Sequence, residues 1–224
     1  MAAPLALIGV AATLSRAGLV ALTVALLVGL VVGGRWKAWF AGALVVGGLS
    51  AALYLVAFAP PAARERVQST NSTGRTDIWT IGGRMAEAHP VRGVGGGNFP
   101  VASIHYLLRP GVIERDDFII ETPKVAHNIY LEVQAELGAV GLLLFLALLG
   151  FSIRSAMRAA LAFKRQGDAH SELLARVVVI ALAGILAADC FASEQYSKQL
   201  WLLLALGPAM LALANIRAGE ERQR

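Results

Sequence analysis

Polar residues cluster where a hydrophilic segment meets a long apolar run, in the stretch HNIYLEVQAELG. His127 and Asn128 begin this stretch, and Glu132 and Glu136 follow at a spacing of four, which places both carboxyl groups on one side of a helix. A neutral imidazole, with an ordinary pKa of about 6.5, can accept a proton from a hydroxyl group. The stretch therefore predicts proton transfer at His127. The plainer alternative is a set of amphipathic side chains at a membrane interface.

Two arginines elsewhere in the chain could bind anions. Arg16 lies in SRAG before an apolar run, and Arg75 lies in GRTDIW. A guanidinium group grips phosphate oxygens through paired, charge-assisted hydrogen bonds. From the residues alone, lipid headgroup contact also explains Arg16, and pairing with Asp77 or a solvated position also explains Arg75.

The glycine-rich segment RGVGGGNF, at residues 92–99, offers successive backbone amides that could cradle an anion. It lacks the strand, the fixed spacing and the lysine of a nucleotide-binding loop. A tight turn is the simpler interpretation. Metal binding has less support, because His89, His105 and His127 include no closely spaced pair of the kind that starts a zinc site. We expect no metal site.

These residues would have to be positioned by membrane-spanning helices. Of the 224 residues, 57% are hydrophobic and 16% charged, and the apolar residues form long runs without a period of two. About 20 apolar residues cross a hydrocarbon layer of about 30 Å. The sequence predicts an all-α integral membrane protein, a polytopic helical bundle with about five full transmembrane helices. The predicted spans are Ala17–Gly34, Ala38–Ala59, Ile129–Ile153, Leu173–Ala188 and Gln199–Ile216.

The apolar stretch from Met1 to Ser15 is too short to cross a bilayer alone, at about 1.5 Å per residue. We expect a partial N-terminal helix whose beginning is absent, so that the chain is the C-terminal part of a larger protein. The alternative is one long helix interrupted by Arg16. It is less favourable, because an arginine at the bilayer centre costs at least about 2.5 kcal/mol.

Short loops rich in lysine and arginine mark the cytoplasmic side of a membrane protein. Basic residues lie between the first two full spans, after the third span and at the C-terminal end, so these places are predicted to be cytoplasmic. The segment 60–126 and the short turn 189–198 would then face the opposite side. The net charge of +5 reflects this topology rather than a nucleic-acid surface. The single cysteine, Cys190, excludes an internal disulfide.

The predicted organisation has three parts. Residues 1–59 form transmembrane helices, residues 60–126 form a long external loop with short helices, and residues 127–224 form transmembrane helices and a cytoplasmic tail. Within the loop, TDIWTIGGRMAEAHP predicts an amphipathic helix that Thr76 would cap.

The motifs SRAG, GRTDIW, AHPVRGVGGGNF and HNIYLEVQAELGAVGLLLFL occur in the order found in the O-antigen ligase and polymerase superfamily. The chain resembles the C-terminal half of such a protein over nearly all of its length. The resemblance implies a metal-independent, inverting glycosyltransferase without a cofactor. Such an enzyme moves a glycan from undecaprenyl diphosphate to a glycan or glycolipid acceptor, at the periplasmic face of the inner membrane.

The resemblance also implies roles for individual residues. Arg16 and Arg75 match arginines that hold the diphosphate, and His127 matches a histidine that assists deprotonation of the acceptor hydroxyl. Asn128 completes the histidine–asparagine motif as a supporting residue. Glu136 matches the family's glutamate–leucine–glycine segment, where it would orient a site residue or stabilise the bundle.

Two other classes of function stay open at this point. A noncatalytic or degenerate membrane module would keep the fold without bringing Arg16, Arg75 and His127 together. A transporter would need polar groups along a path through the bilayer midplane, and the inner halves of the predicted spans offer almost none. The implied partners of an enzyme are the lipid-linked donor, the acceptor, membrane lipids and a missing N-terminal half. The sequence does not distinguish ligation from polymerisation or identify the sugar.

Overall fold

The structure is a computed structural model that describes residues 16–58, 74–107, 124–193 and 195–223. Every regular element in these ranges is a helix, which confirms the predicted all-α class. The expected partial helix at residues 1–15 lies outside the described residues. In chain order the α-helices are α1 (Arg16–Val32), α2 (Lys37–Leu53), α3 (Arg75–Ala88), α4 (Phe99–Ala102), α5 (Ile129–Arg165), α6 (Ala169–Ala188) and α7 (Lys198–Gln223). Shorter helical turns are Gly34–Trp36, Tyr54–Phe58 and Ser103–Tyr106.

Several of these helices are long and apolar enough to cross a membrane, which confirms a polytopic membrane protein. By length and composition the candidate spans are Gly34–Phe58, Ile129–Arg165, Ala169–Ala188 and Lys198–Glu220. The first predicted span is shorter than expected, because its helix ends at Val32 and Gly34 adopts a left-handed φ of 59°. Its apolar part, Ala17–Val32, falls short of the length of the other four.

The chain divides into two compact units. The first comprises residues 1–70, 151–188 and 199–224, and the second comprises residues 71–150 and 189–198. In the first unit α1 packs along α6. The buried carboxylate of Glu172 pairs there with Arg35 and Arg176, at 2.5 and 2.9 Å. Because Glu172 and Arg176 are buried, losing either partner would leave a charge unpaired in the interior, and the cluster holds the loop after α1 against α6.

In the second unit, the amphipathic helix α3 buries one face. Ile78, Ile81 and Met85 are almost completely buried and pack with Phe99 and Tyr106. This spacing is the helical apolar stripe that the sequence predicts. The predicted cap is wrong, because α3 begins at Arg75 after a left-handed Gly74, so Thr76 lies inside the first turn.

The long helix α5 is interrupted at Gly138, where φ is 67° and ψ is −169°. The interruption frees backbone groups that an unbroken helix would pair internally. The glycine-rich segment and Pro90, which precedes it, pair with these groups. The hydrogen bonds are Val94 N to Ala135 O at 2.9 Å, Gly95 N to Glu136 O at 2.8 Å and Ala139 N to Pro90 O at 2.8 Å.

This break changes where the polar turns of α5 stand relative to the membrane-spanning part. Residues 139–165 alone form roughly 40 Å of helix at about 1.5 Å per residue, enough to cross a layer of about 30 Å. Glu132 and Glu136 therefore belong to a separate helical stretch that precedes the break. The polar turns need not lie in hydrocarbon.

Candidate functional site

His127 has an unusual backbone conformation. Its φ is 51°, and it is the one non-glycine residue with a positive φ among the described residues. A left-handed conformation costs a side-chain-bearing residue roughly 1–2 kcal/mol. Such a conformation persists only where the surroundings determine it, and strained residues of this kind cluster at functional sites.

The residue before His127 is held at both of its backbone polar groups. The amide of Ala126 donates to Glu132 Oε2 at 2.8 Å, and its carbonyl accepts a hydrogen bond from Trp79 Nε1 at 3.0 Å. The residue itself is fully buried. Ala126 therefore enters the left-handed turn in one fixed orientation.

The residues after His127 are held as well. The side-chain oxygen of Asn128 accepts hydrogen bonds from the amides of Tyr130 and Leu131, both at 3.0 Å, and so caps α5. The amide of Ile129 donates to the carbonyl of Asp189 at 2.9 Å. Asn128 thus supports the site by starting the helix directly after the histidine.

The imidazole of His127 is half-buried among positive charges. Burial lowers its pKa below the ordinary 6.5, and the nearby charges of Arg75 and Lys124 lower it further. Because both effects disfavour the imidazolium form, the ring is neutral near pH 7 and can accept a proton. The sequence motif and the geometry agree in making His127 a candidate base.

Helix α3 supplies two parts of this arrangement from one side. Arg75 begins the helix and places a positive charge near His127. Trp79, one turn later, holds the carbonyl of Ala126. A four-residue spacing puts the two side chains on neighbouring positions of one helix face. Arg75 and Trp79 therefore both act on the turn at His127 from one face of α3.

Glu136 is buried and binds two other segments rather than His127. Its Oε1 accepts a hydrogen bond from the amide of Phe99 at 3.0 Å, and its Oε2 accepts one from the hydroxyl of Tyr196 at 3.0 Å. Burial and the bond to Glu136 raise the pKa of Tyr196, which keeps the phenol protonated as a donor. These contacts fit a residue that stabilises the unit around the site.

The glycine-rich segment packs against the α5 break. A Cβ atom at Gly93 would lie 2.2 Å from the carbonyl of Glu136, and one at Gly138 would lie 2.2 Å from the carbonyl of Val91. The amides of Gly93, Val94 and Gly95 all donate to backbone carbonyls. This arrangement favours the tight-turn interpretation over an anion cradle, since these amides are already used.

A family model described as O-Antigen ligase matches residues 1–146 of the 224-residue chain. The chain belongs to this family. A search among curated proteins finds no match. Membership establishes a multi-pass membrane protein of O-antigen ligase or polymerase type, with a ligase or glycosyltransferase class of activity.

The second unit of this O-antigen ligase family member brings together most of the predicted site residues. Arg75, His127, Asn128 and Glu136 all lie in it. Arg16 begins α1 in the first unit, and its side chain lies outside the described part of the protein. Among the described residues, no group of three or more histidine, cysteine, aspartate or glutamate side chains could hold a metal ion.

Sequence reasoning missed the turn 189–198, which contributes several contacts to the site of this family member. Ser193 and Gln195 donate side-chain hydrogen bonds to Glu132. The ring of Phe191 lies 6.5 Å from that of Trp79, centroid to centroid. A polar, aromatic composition between two apolar helices is a weak signal for such a role.

Proposed function

We propose that this protein transfers a glycan from undecaprenyl diphosphate to a hydroxyl group of a glycan or glycolipid acceptor, at the periplasmic face of the inner membrane. The observation that carries the proposal is the arrangement at His127. A neutral imidazole, in a backbone conformation held on both sides, lies near the guanidinium of Arg75. A base beside an anion-binding group is what glycan transfer from a diphosphate requires.

In the proposed reaction, the imidazole of His127 removes the proton of the acceptor hydroxyl as its oxygen attacks the anomeric carbon. The bond between that carbon and the diphosphate oxygen breaks on the opposite face, so the anomeric configuration inverts. The diphosphate leaves with the bonding electron pair. Arg75 stabilises the growing negative charge through charge-assisted hydrogen bonds.

Arg16 is proposed as a second group for the diphosphate. Two guanidinium groups can neutralise the charge that a divalent cation would otherwise neutralise, so the proposed transfer is metal-independent. The donor lipid, the acceptor and the surrounding membrane are the proposed partners. No nucleic acid takes part.

The test is transfer from a synthetic polyprenyl-diphosphate glycan, in the presence of a chelator, in membranes of cells that express the protein. We expect His127→Ala to slow transfer by about 10²- to 10⁴-fold, since that is the usual contribution of a general base. Donor binding should change little, because the base acts at the chemical step.

A His127→Asn variant serves as the matched control for the backbone. Asparagine adopts the left-handed conformation more readily than alanine, so it keeps the fold of this turn while removing the base. Equal losses in both variants would assign the effect to the imidazole. Transfer at the parental rate in a correctly inserted His127→Asn protein would contradict the proposed role, and loss of transfer on chelation with rescue by magnesium would contradict metal independence.

A further inference from the structure

Glu132 is a buried acidic group that the proposed reaction does not use. Its side chain is only 1% exposed. One carboxylate oxygen accepts hydrogen bonds from the amide of Ala126 and the hydroxyl of Ser193. The other accepts one from the side-chain amide of Gln195. Donors from two distant segments therefore meet at one carboxyl group.

These contacts require acceptors at both oxygens of residue 132. A backbone amide and the NH₂ group of a glutamine can only donate, so each needs an acceptor opposite it. A carboxylate supplies two such oxygens, whereas a glutamine at position 132 would supply one oxygen and a second NH₂ group. The position thus selects glutamate by its hydrogen-bonding capacity.

The amide that Glu132 holds belongs to the residue directly before His127. The orientation of Ala126 sets the direction in which the chain enters the left-handed turn, and Trp79 holds only its carbonyl. We infer that Glu132 is a positioning residue that keeps His127 in its left-handed, half-buried place and connects it to the turn 189–198. The consequence for catalysis rests on the proposed function, whereas the positioning itself does not.

The test of positioning is an NMR titration of the His127 imidazole in the 224-residue chain in lipid nanodiscs, with the signal assigned by its loss in His127→Asn. In Glu132→Gln we expect the pKa of His127 to rise towards 6.5. Burial is the largest cause of its lowered value, ahead of the charges of Arg75 and Lys124, and a displaced ring would lose that burial.

The sign of the shift separates positioning from a simple charge effect. Removing a nearby negative charge would lower the pKa of His127 further, because the imidazolium form would lose a favourable neighbour. The exposed Glu87 on α3 offers a matched control, and Glu87→Gln should leave the titration unchanged. An unchanged or lower pKa in Glu132→Gln would overturn the inference.

Hydrogen exchange of the parental protein tests the same inference if Glu132→Gln does not fold. The amide of Ala126 should exchange more slowly than that of its exposed neighbour Val125, because it is bonded to a buried carboxyl group. Equal exchange rates of these two amides would overturn the inference without any variant.

Kinetics then test the consequence for catalysis. In the transfer assay, Glu132→Gln should lower kcat by about 10²-fold with little change in the KM of the lipid-linked donor, since a base displaced by about 1 Å loses that much. Absence of transfer activity in the parental protein would refute the proposed function. The positioning of His127 by Glu132 would then be decided by the titration alone. A shifted His127 pKa together with a parental kcat would refute the catalytic consequence.

Discussion

His127 differs from an ordinary interface histidine in two respects, its left-handed backbone and its lowered pKa. An interface histidine needs neither, since it can rotate between lipid headgroups and water. A base for a hydroxyl group benefits from both, because a fixed ring reduces the entropic barrier and a neutral ring is ready to accept the proton. The residue-scale evidence therefore favours a chemical role.

The lowered pKa of His127 predicts the acid side of the pH profile. The neutral ring is the active form, so transfer should fall as the pH decreases through the pKa of His127, and this fall should lie below pH 6.5. Lys124→Gln removes one of the charges that lower the pKa, so the fall should move to higher pH. Transfer rates measured against pH check this, with exposed Lys198→Gln as control. A fall centred above pH 6.5 in the parental protein would contradict the prediction.

Arg75 gives a second prediction at the scale of a residue. If it holds the diphosphate through two parallel donors, Arg75→Lys should lose most activity although the charge is kept, because an ammonium group cannot reproduce the planar fork. Binding of the lipid-linked donor and turnover should be measured together. Arg158→Lys, an exposed arginine in the first unit, should behave like the parent. Full activity of Arg75→Lys would contradict the two parallel hydrogen bonds and show that only the positive charge at position 75 is needed.

At the scale of elements, the break in α5 and the glycine-rich segment form one structure. The break leaves backbone groups unpaired, and the segment pairs them through hydrogen bonds of 2.8–2.9 Å. The same break separates the polar turns that carry Glu132 and Glu136 from the apolar helix that follows. This explains how one long helix serves both a polar site and a membrane span.

Side chains at the contact between the two elements should destabilise it. Gly93→Ala should lower the melting temperature, because its Cβ would lie 2.2 Å from the carbonyl of Glu136 and its φ of 67° is left-handed. Gly150→Ala is the control. Gly150 lies in α5, and the space around its Cβ position is open. The substitution should therefore leave stability unchanged or raise it by up to about 1 kcal/mol. Thermal unfolding in detergent, followed by circular dichroism, measures both. If the Gly93→Ala protein had the parental melting temperature, the contact between Gly93 and α5 could open without loss of stability, and the prediction would be wrong.

At the scale of the whole molecule, the proposed function requires that Arg75 and His127 face the periplasm. The predicted division into residues 1–59, 60–126 and 127–224 is a statement about the two sides of the membrane, based on the positions of lysine and arginine. The site residues Arg75 and His127 would then lie on the side where lipid-linked glycans are transferred.

Labelling of introduced cysteines tests this topology. Cys190 is first replaced by serine to remove the native thiol. Cysteines at the exposed positions Glu87 and His105 should react with an impermeant thiol reagent in intact cells, whereas one at exposed Lys164 should react only after the cells are opened. The reverse labelling pattern would place the site on the cytoplasmic side of the membrane. It would then contradict transfer from the proposed donor at the periplasmic face.

The sequence by itself determined the all-α membrane class, most of the spans, the amphipathic helix α3 and the candidates Arg75 and His127. These features depend on local properties, namely the length of apolar runs, their period and the types of polar residue beside them. The tertiary structure decided the left-handed turn at His127, the break at Gly138 and the contacts of Glu132. Each of these depends on hydrogen bonds between distant parts of the chain, such as Trp79 to Ala126 across 47 positions and Ser193 to Glu132 across 61. A backbone group left unpaired by a turn or break finds its partner only once the chain has folded, so no local pattern contains it.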